Sequence, residues 1–190
     1  GTVAIRSAQH ATTMIPIVMA FSSDPVRAGL VASLARPGGN ITGLAGLTPE
    51  LIGKRLEILK EALPRLSRVA FIGTSGDWES ERGQGARAAA RALKLTLFLA
   101  EHAPNNYAGA FDVIARERAD AIFTSASPHH FAYRRLIAEF AAKNRLPGMY
   151  YSREFVEAGG FMSYGVDLRD IFRRAAIYVD RILKGAKPGD

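Results

Sequence analysis

The sequence contains no cysteine. Disulfide bonds, thiol catalysis and metal centres built on cysteine are therefore excluded. It also lacks any apolar run close to the roughly 18 to 20 residues that span a bilayer. Its longest apolar stretches, residues 14–21 and 69–73, have the length of β-strands. A chain without cysteine is compatible with both the cytoplasm and the bacterial periplasm, so this absence leaves the compartment open.

The composition is that of a soluble globular protein. Hydrophobic residues make up 48% and charged residues 23% of 190 residues, enough for one ordinary domain or two small α/β lobes. The net charge is +7. However, Lys and Arg alternate with acidic residues, as in 54–61 and 116–118, in spacings typical of solvated helix faces. We therefore predict no nucleic-acid partner.

Short apolar segments alternate with amphipathic ones along the chain. The predicted strands are residues 15–21, 68–73, 95–100, 119–124, 147–151 and 161–164, and residues 41–45 are predicted to be either a short strand or a crossover segment. The predicted helices are residues 26–35, 48–63, 78–93, 107–116, 131–144, 153–158 and 167–183. This alternation favours a parallel sheet with helices on both faces. The strands are apolar throughout, as buried parallel strands are.

Small hydroxyl residues and aromatic residues follow several of these strands. Ligands of doubly wound sheets bind outside the carboxyl ends of the strands, and helix N-termini with nearby hydroxyls bind carboxylate or phosphate. The candidate ligand-binding residues at these strand ends are Ser23, Asp24, Thr74, Ser75, Asp77, Trp78, Ser125, Ser127, Tyr150 and Tyr151. The same Ser, Thr and Asp residues are also ordinary helix N-caps, and the aromatic residues can equally be packing residues. Both interpretations stay open at this point.

Signals for catalysis are weak. The pair His129 and His130 lacks the i, i+4 spacing and the partner Glu of a zinc helix. Residues 83–88 have the letters of a dinucleotide motif, but they lie within a helical pattern rather than at the strand–helix turn. Asp24 and Asp77 have no predicted His, Lys or metal partner for acid–base work. We predict no catalytic residue, metal or cofactor, which disfavours an enzyme of flavodoxin-like fold.

Several segments together resemble one family. They are residues 15–18, 24–26, 29–44, 53–56, 153–160, 162–165 and 180–188. In these segments the chain is similar to the ABC-transporter substrate-binding family, whose better-known members bind aromatic and other amino acids. The resemblance covers essentially the whole chain and is more specific for the family than for the ligand.

The resemblance implies a periplasmic-binding-protein type I fold. This is an α/β architecture of two lobes, each with a mostly parallel sheet flanked by helices, and with the ligand in the cleft. We expect residues 1–65 to form part of a first lobe, 66–163 the second lobe, and 164–190 a crossover and helix returning to the first. Strands of the first lobe would precede Gly1, and a closing segment would follow Asp190. A sheet edge left uncovered would favour a homodimer or swapped dimer, which light scattering would test.

The resemblance also implies a function. The chain would be the extracytoplasmic solute-binding component of an ABC importer, periplasmic or membrane-anchored, working with a membrane permease. Thr2 would join Ser23 and Asp24 on the first lobe, and hydroxyls would take the carboxylate of an amino acid or related ligand. Asp24 or Asp77 would take an ammonium group. The alternative is a ligand-sensing effector domain of a transcription regulator, which shares the architecture and would need a helix-turn-helix segment.

Overall fold

The structure is a computed structural model that describes residues 2–22, 24–46 and 48–189, without the side chains of residues 2 and 48–50. Contacts divide the chain into two compact units. Unit 1 comprises Gly1–Thr48 with Val166–Asp190, and unit 2 comprises Pro49–Gly165. Within the described residues, no helix has both the length and the apolar character to cross a membrane.

Unit 1 is built on a two-stranded parallel sheet. Its elements are α1 (Thr2–Ala11), β1 (Ile17–Ser22), β2 (Ile41–Ala45) and α9 (Leu168–Leu183). Ile17 lies opposite Ile41 in the β1–β2 ladder. Ile171 and Ala175 of α9 pack with Leu44 of β2, which fixes the last helix against this sheet.

The helix predicted over residues 26–35 is wrong. A turn forms at the start of this segment, and Asp24 begins it by accepting a hydrogen bond from the Arg27 N–H at 2.9 Å. Gly29 then adopts a φ of +66°, a left-handed conformation that ends a helix. The Ala32 N–H donates to Pro37 O rather than to a carbonyl four residues earlier. The segment is therefore a series of turns, while α1 was not among the predicted elements.

Unit 2 is built on a five-stranded sheet in the order β4-β3-β5-β6-β7, in which every ladder is parallel. Its strands are β3 (Arg68–Gly73), β4 (Thr96–Glu101), β5 (Ala121–Thr124), β6 (Gly148–Tyr150) and β7 (Met162–Ser163). Its helices are α2 (Thr48–Ala62), α3 (Ser75–Glu79), α4 (Glu81–Ala92), α5 (Ala108–Arg116), α6 (Pro128–Ala132), α7 (Arg134–Lys143) and α8 (Glu154–Glu157). The predicted α/β class with parallel sheets is confirmed.

Alternate residues of the buried strands face two different helical layers. Phe71 of β3 packs with Leu56 and Leu59 of α2 on one face. Ile72 packs with Ile114 of α5 on the other face. Because the apolar stripe of α2 packs against this sheet, the contacts of α2 place it in unit 2. The division expected from the sequence instead placed residues 1–65 in the first lobe.

Two helices predicted as continuous are each broken in two. The segment 78–93 forms α3 and α4, and the segment predicted at 131–144 forms α6 and α7. Ser80 separates the first pair with a ψ of 161°, and its hydroxyl accepts a hydrogen bond from the Gly83 N–H. Because of the break at Ser80, α3 is a separate helix of five residues that begins directly after β3.

Candidate functional site

The carboxyl ends of β4, β3 and β5 lie side by side, because these strands are neighbours in a parallel sheet. Thr74 follows β3, His102 follows β4 and Ser125 follows β5. The His102 N–H donates to Gly73 O at 3.1 Å, which ties the ends of β3 and β4 together. Residues far apart in sequence therefore meet at this edge.

Thr74 and Asp77 form a capping box at the start of α3. The Thr74 hydroxyl accepts from the Asp77 N–H at 3.1 Å, and the Asp77 Oδ2 accepts from the Thr74 N–H at 3.0 Å. The Thr74 hydroxyl also donates to Oδ2 at 2.9 Å. Both side chains therefore cap α3, which is one of the two roles that remained possible from the sequence. The Asp77 carboxylate accepts both of its hydrogen bonds in this capping box through Oδ2.

Ser75 connects the end of β3 to the end of β4. Its N–H donates to Glu101 Oε1 at 2.9 Å, and its hydroxyl donates to the same oxygen. These two bonds, led by the hydroxyl, lower the pKa of Glu101. Ser75 thus donates its hydrogen bonds to the exposed Glu101 carboxylate of the neighbouring strand β4.

The segment after β5 is held by its own backbone and by the end of β6. Ser127 caps α6 by accepting from the His129 N–H at 3.3 Å. The Tyr151 hydroxyl donates to Ser127 O at 2.9 Å, and burial raises the pKa of Tyr151. The buried Ser125 lies with its hydroxyl 3.5 Å from the Nδ1 of His130.

Two of the aromatic candidates pack within unit 2. Tyr150 is fully buried and stacks on Phe155 with ring centroids 4.7 Å apart. Trp78 is half-buried, edge-on to Phe71 at 5.6 Å, and the Arg87 guanidinium lies 4.6 Å from its ring centroid. Both have the packing role that was the alternative to ligand contact.

The three candidates of the first lobe lie in unit 1. Thr2 begins α1, but its side chain is outside the described residues, and Ser23 is outside them altogether. Asp24 is exposed and caps the turn described above. Their roles in ligand binding stay predictions.

A buried arginine lies at the end of β5 and was not predicted. Arg55 of α2 is 1% exposed; its Nε donates to Leu51 O at 3.2 Å and its Nη1 to Thr124 O at 3.4 Å. Its guanidinium carbon lies 5.4 Å from the centroid of the Phe123 ring. Burial is the main cause that lowers the pKa of Arg55 to about 10; Tyr151 opposes this shift and the nearby Arg82 contributes to it.

Within the described part of the chain, this charge is not offset by a carboxylate. Among the residues that the structure describes, no Asp or Glu forms an ion pair with Arg55, and no group accepts from its Nη2. A buried charge without a partner costs several kcal/mol. The arrangement therefore offers strong hydrogen-bond donors to an anionic group.

A second unpredicted group is a pair of buried histidines beside Asp77. The Nε2 atoms of His102 and His130 are 3.0 Å apart, and both side chains are buried. Each Nδ1 faces a backbone carbonyl, Ala103 O at 3.0 Å and Ser125 O at 2.9 Å. One ligand atom from each histidine and one from Asp77 lie within 4.8 Å of one another. Burial lowers the pKa of His130 to about 4, so this imidazole is neutral near pH 7.

The family model of ABC transporter substrate binding proteins matches this chain over residues 1–190. The chain belongs to this family. The predicted resemblance is confirmed, and the family is one of solute-binding proteins rather than of enzymes.

Relatives of this substrate-binding family member support the same fold. A tyrosine-binding protein of Clostridioides difficile (strain R20291) is 25% identical over the whole chain. A structure from Streptococcus pneumonia in complex with L-Trp is 25% identical with a TM-score of 0.82 over 100% of this chain. A conserved domain protein of Vibrio cholerae is 28% identical with a TM-score of 0.84 over 99% of this chain. The predicted periplasmic-binding-protein type I class is confirmed.

The chain spans only part of these relatives, namely 55% of the tyrosine-binding protein and 64% and 63% of the two solved chains. The activity and the partners of the whole protein are therefore matters for proposal. The alternative of a regulator effector domain is not supported by these comparisons.

The buried arginine and the buried histidine pair left different signals in the sequence. Arg55 lies three residues after Ile52 and four before Leu59, on the apolar stripe of α2, so a charged residue there was a detectable anomaly. His130 was considered in the sequence only together with His129, and no spacing signal linked it to His102, because the two histidines follow different strands.

Proposed function

We propose that this chain is the ligand-recognising part of an ABC-importer substrate-binding protein and that it binds an amino acid or a related carboxylate. The family membership supports the transport role. The relatives named for tyrosine and crystallised with L-Trp make aromatic amino acids the first probes. An extracytoplasmic location and a membrane permease as partner belong to the same proposal, and the dimer expected from the sequence stays a prediction.

The observation that carries the ligand class is the buried guanidinium of Arg55. Its Nη2 has no acceptor among the described residues, and its Nη1 has only a long contact to Thr124 O. A guanidinium presents a planar fork of donors that matches both oxygens of a carboxylate. A bound carboxylate would supply the missing counter-charge and convert an unfavourable buried charge into a charge-assisted pair.

We expect Arg55→Met to weaken binding of the cognate amino acid about 30-fold, equivalent to roughly 2 kcal/mol, because the bound carboxylate loses its charged partner. The unfolding midpoint of the ligand-free protein should not fall, since an apolar side chain of similar length replaces an unpaired buried charge. Thermal unfolding against L-tyrosine, L-tryptophan and a wider amino-acid panel identifies the ligand. Calorimetry then measures its dissociation constant in each variant.

The matched control is Lys54→Met, one residue away, which removes the same charge from a side chain paired with Glu57 at the surface. It should leave affinity within about twofold. Tyramine and tryptamine, which lack the carboxylate, should bind wild type at least tenfold more weakly than their parent amino acids. Equal affinity of wild type and Arg55→Met would exclude Arg55 as the carboxylate site. A panel without any binding amino acid or carboxylate would contradict the ligand class itself.

A further inference from the structure

The two buried histidines have a defined tautomer. A carbonyl oxygen can only accept a hydrogen bond, so the Nδ1 of His102 facing Ala103 O carries its proton, as does the Nδ1 of His130 facing Ser125 O. In a neutral imidazole the other nitrogen then carries a lone pair. When both imidazoles are neutral, the two Nε2 atoms, 3.0 Å apart, point two lone pairs at each other.

Such a contact is repulsive unless a positive species lies between the nitrogens. Two bonds of about 2.0 to 2.1 Å in tetrahedral geometry separate a pair of zinc-bound imidazole nitrogens by roughly 3.3 Å, close to the separation here. Donation of Nδ1–H to a backbone carbonyl is also the usual way in which a protein orients a metal-binding histidine. The geometry of the pair is thus that of two ligands to one ion.

Asp77 supplies a third ligand. Its bonds in the α3 capping box all use Oδ2, and one of its carboxylate oxygens lies within 4.8 Å of one ring nitrogen of each histidine. We propose that His102, His130 and Asp77 bind a divalent transition-metal ion such as zinc. This site is separate from the carboxylate site assigned to Arg55.

The surroundings favour such an ion. Tyr107 stacks on His102 with ring centroids 4.4 Å apart and an interplanar angle of 14°, which holds the imidazole in place. The Tyr107 hydroxyl is buried and has no hydrogen-bond partner among the residues that the structure describes. Two imidazoles and one carboxylate suit zinc, cobalt or nickel, whereas magnesium and calcium prefer oxygen ligands. Three protein ligands leave one tetrahedral position for a water molecule or another small donor.

The test uses the purified protein after removal of metal with a chelator and exchange into chelator-free buffer. Calorimetry with zinc chloride should give one ion per chain, and cobalt(II) should develop the visible absorption of a tetrahedral site. Magnesium chloride should bind at least 100-fold more weakly than zinc. Asp77→Asn keeps an oxygen for the capping box, so it should fold normally and bind zinc at least tenfold more weakly.

His130→Ala should lower zinc affinity about 100-fold, whereas His129→Ala, which removes the exposed histidine next to it, should leave affinity unchanged within about twofold. Because His130 is buried, circular dichroism checks that this variant folds, and Asp77→Asn provides the decisive comparison if it does not. The proposal is overturned if wild type and Asp77→Asn bind zinc equally. It is also overturned if His129→Ala loses as much affinity as His130→Ala, or if wild type binds no zinc and the histidine pair instead shares a proton.

Discussion

Replacing Gly83 with alanine is expected to destabilise unit 2 by about 3 kcal/mol, although alanine is normally favoured over glycine inside a helix. A Cβ at Gly83 would lie 2.0 Å from Trp78 O and 2.5 Å from Asp77 O. Both atoms are backbone oxygens of α3, so no side-chain rotation can relieve the overlap. The change would separate α3 from α4 and displace the helix that carries Asp77.

Gly85 in the same helix provides the control, because a Cβ there meets nothing within 4 Å. Gly85→Ala should therefore stabilise the protein by about 0.5 to 1 kcal/mol through helix propensity alone. Chemical denaturation of the two variants measures both changes. If Gly83→Ala is as stable as Gly85→Ala, the close approach of α3 to α4 does not require glycine at position 83.

Truncation of Phe123 to alanine is expected to cost roughly 3 to 5 kcal/mol, in the range of large-to-small changes in well-packed cores. Phe123 is fully buried in the central strand β5, with its ring centroid 6.1 Å from that of Phe71. The Arg55 guanidinium lies over the same ring, so the variant also removes a cation–π contact from a charge that forms no ion pair with any described carboxylate.

Phe161→Ala is the comparison, since Phe161 belongs to the same unit but is 54% exposed. Its loss should cost less than about 1 kcal/mol. Urea denaturation followed by circular dichroism gives both values. Similar losses in the two variants would mean that the face of the sheet under α2 is not the tightly packed layer described above.

Sequence patterns predicted the elements that depend on local hydrophobicity. The strand at 68–73 was predicted with the bounds observed, because buried parallel strands appear as continuous apolar runs. The helix at 26–35 failed because its apolar spacing was outweighed by the left-handed backbone at Gly29. A conformation of that kind is decided by contacts outside the segment, which propensity does not include.

The sequence predicted the location of the candidate site in the fold, but it did not predict which side chains of the site contact one another. Strand order brings Thr74, His102 and Ser125 to one edge, as the alternation of strands and helices implies. Which groups bond to one another is set by the neighbours of each strand. The pairing of His102 with His130 depends on β3 lying between β4 and β5, an order that no motif in the sequence encodes.

The division of the chain into units also has a consequence for the order of folding. Unit 2 is one uninterrupted stretch, whereas unit 1 needs Val166–Asp190 in addition to its first segment. We expect amides of β3 and β5 to gain protection in pulsed hydrogen exchange before those of β1 and β2, because the latter also pack against α9. During synthesis, residues 1–48 would then leave the ribosome before unit 2 and wait for Val166–Asp190 to reach their native contacts, so they would stay exposed to aggregation or to chaperones for longer than unit 2.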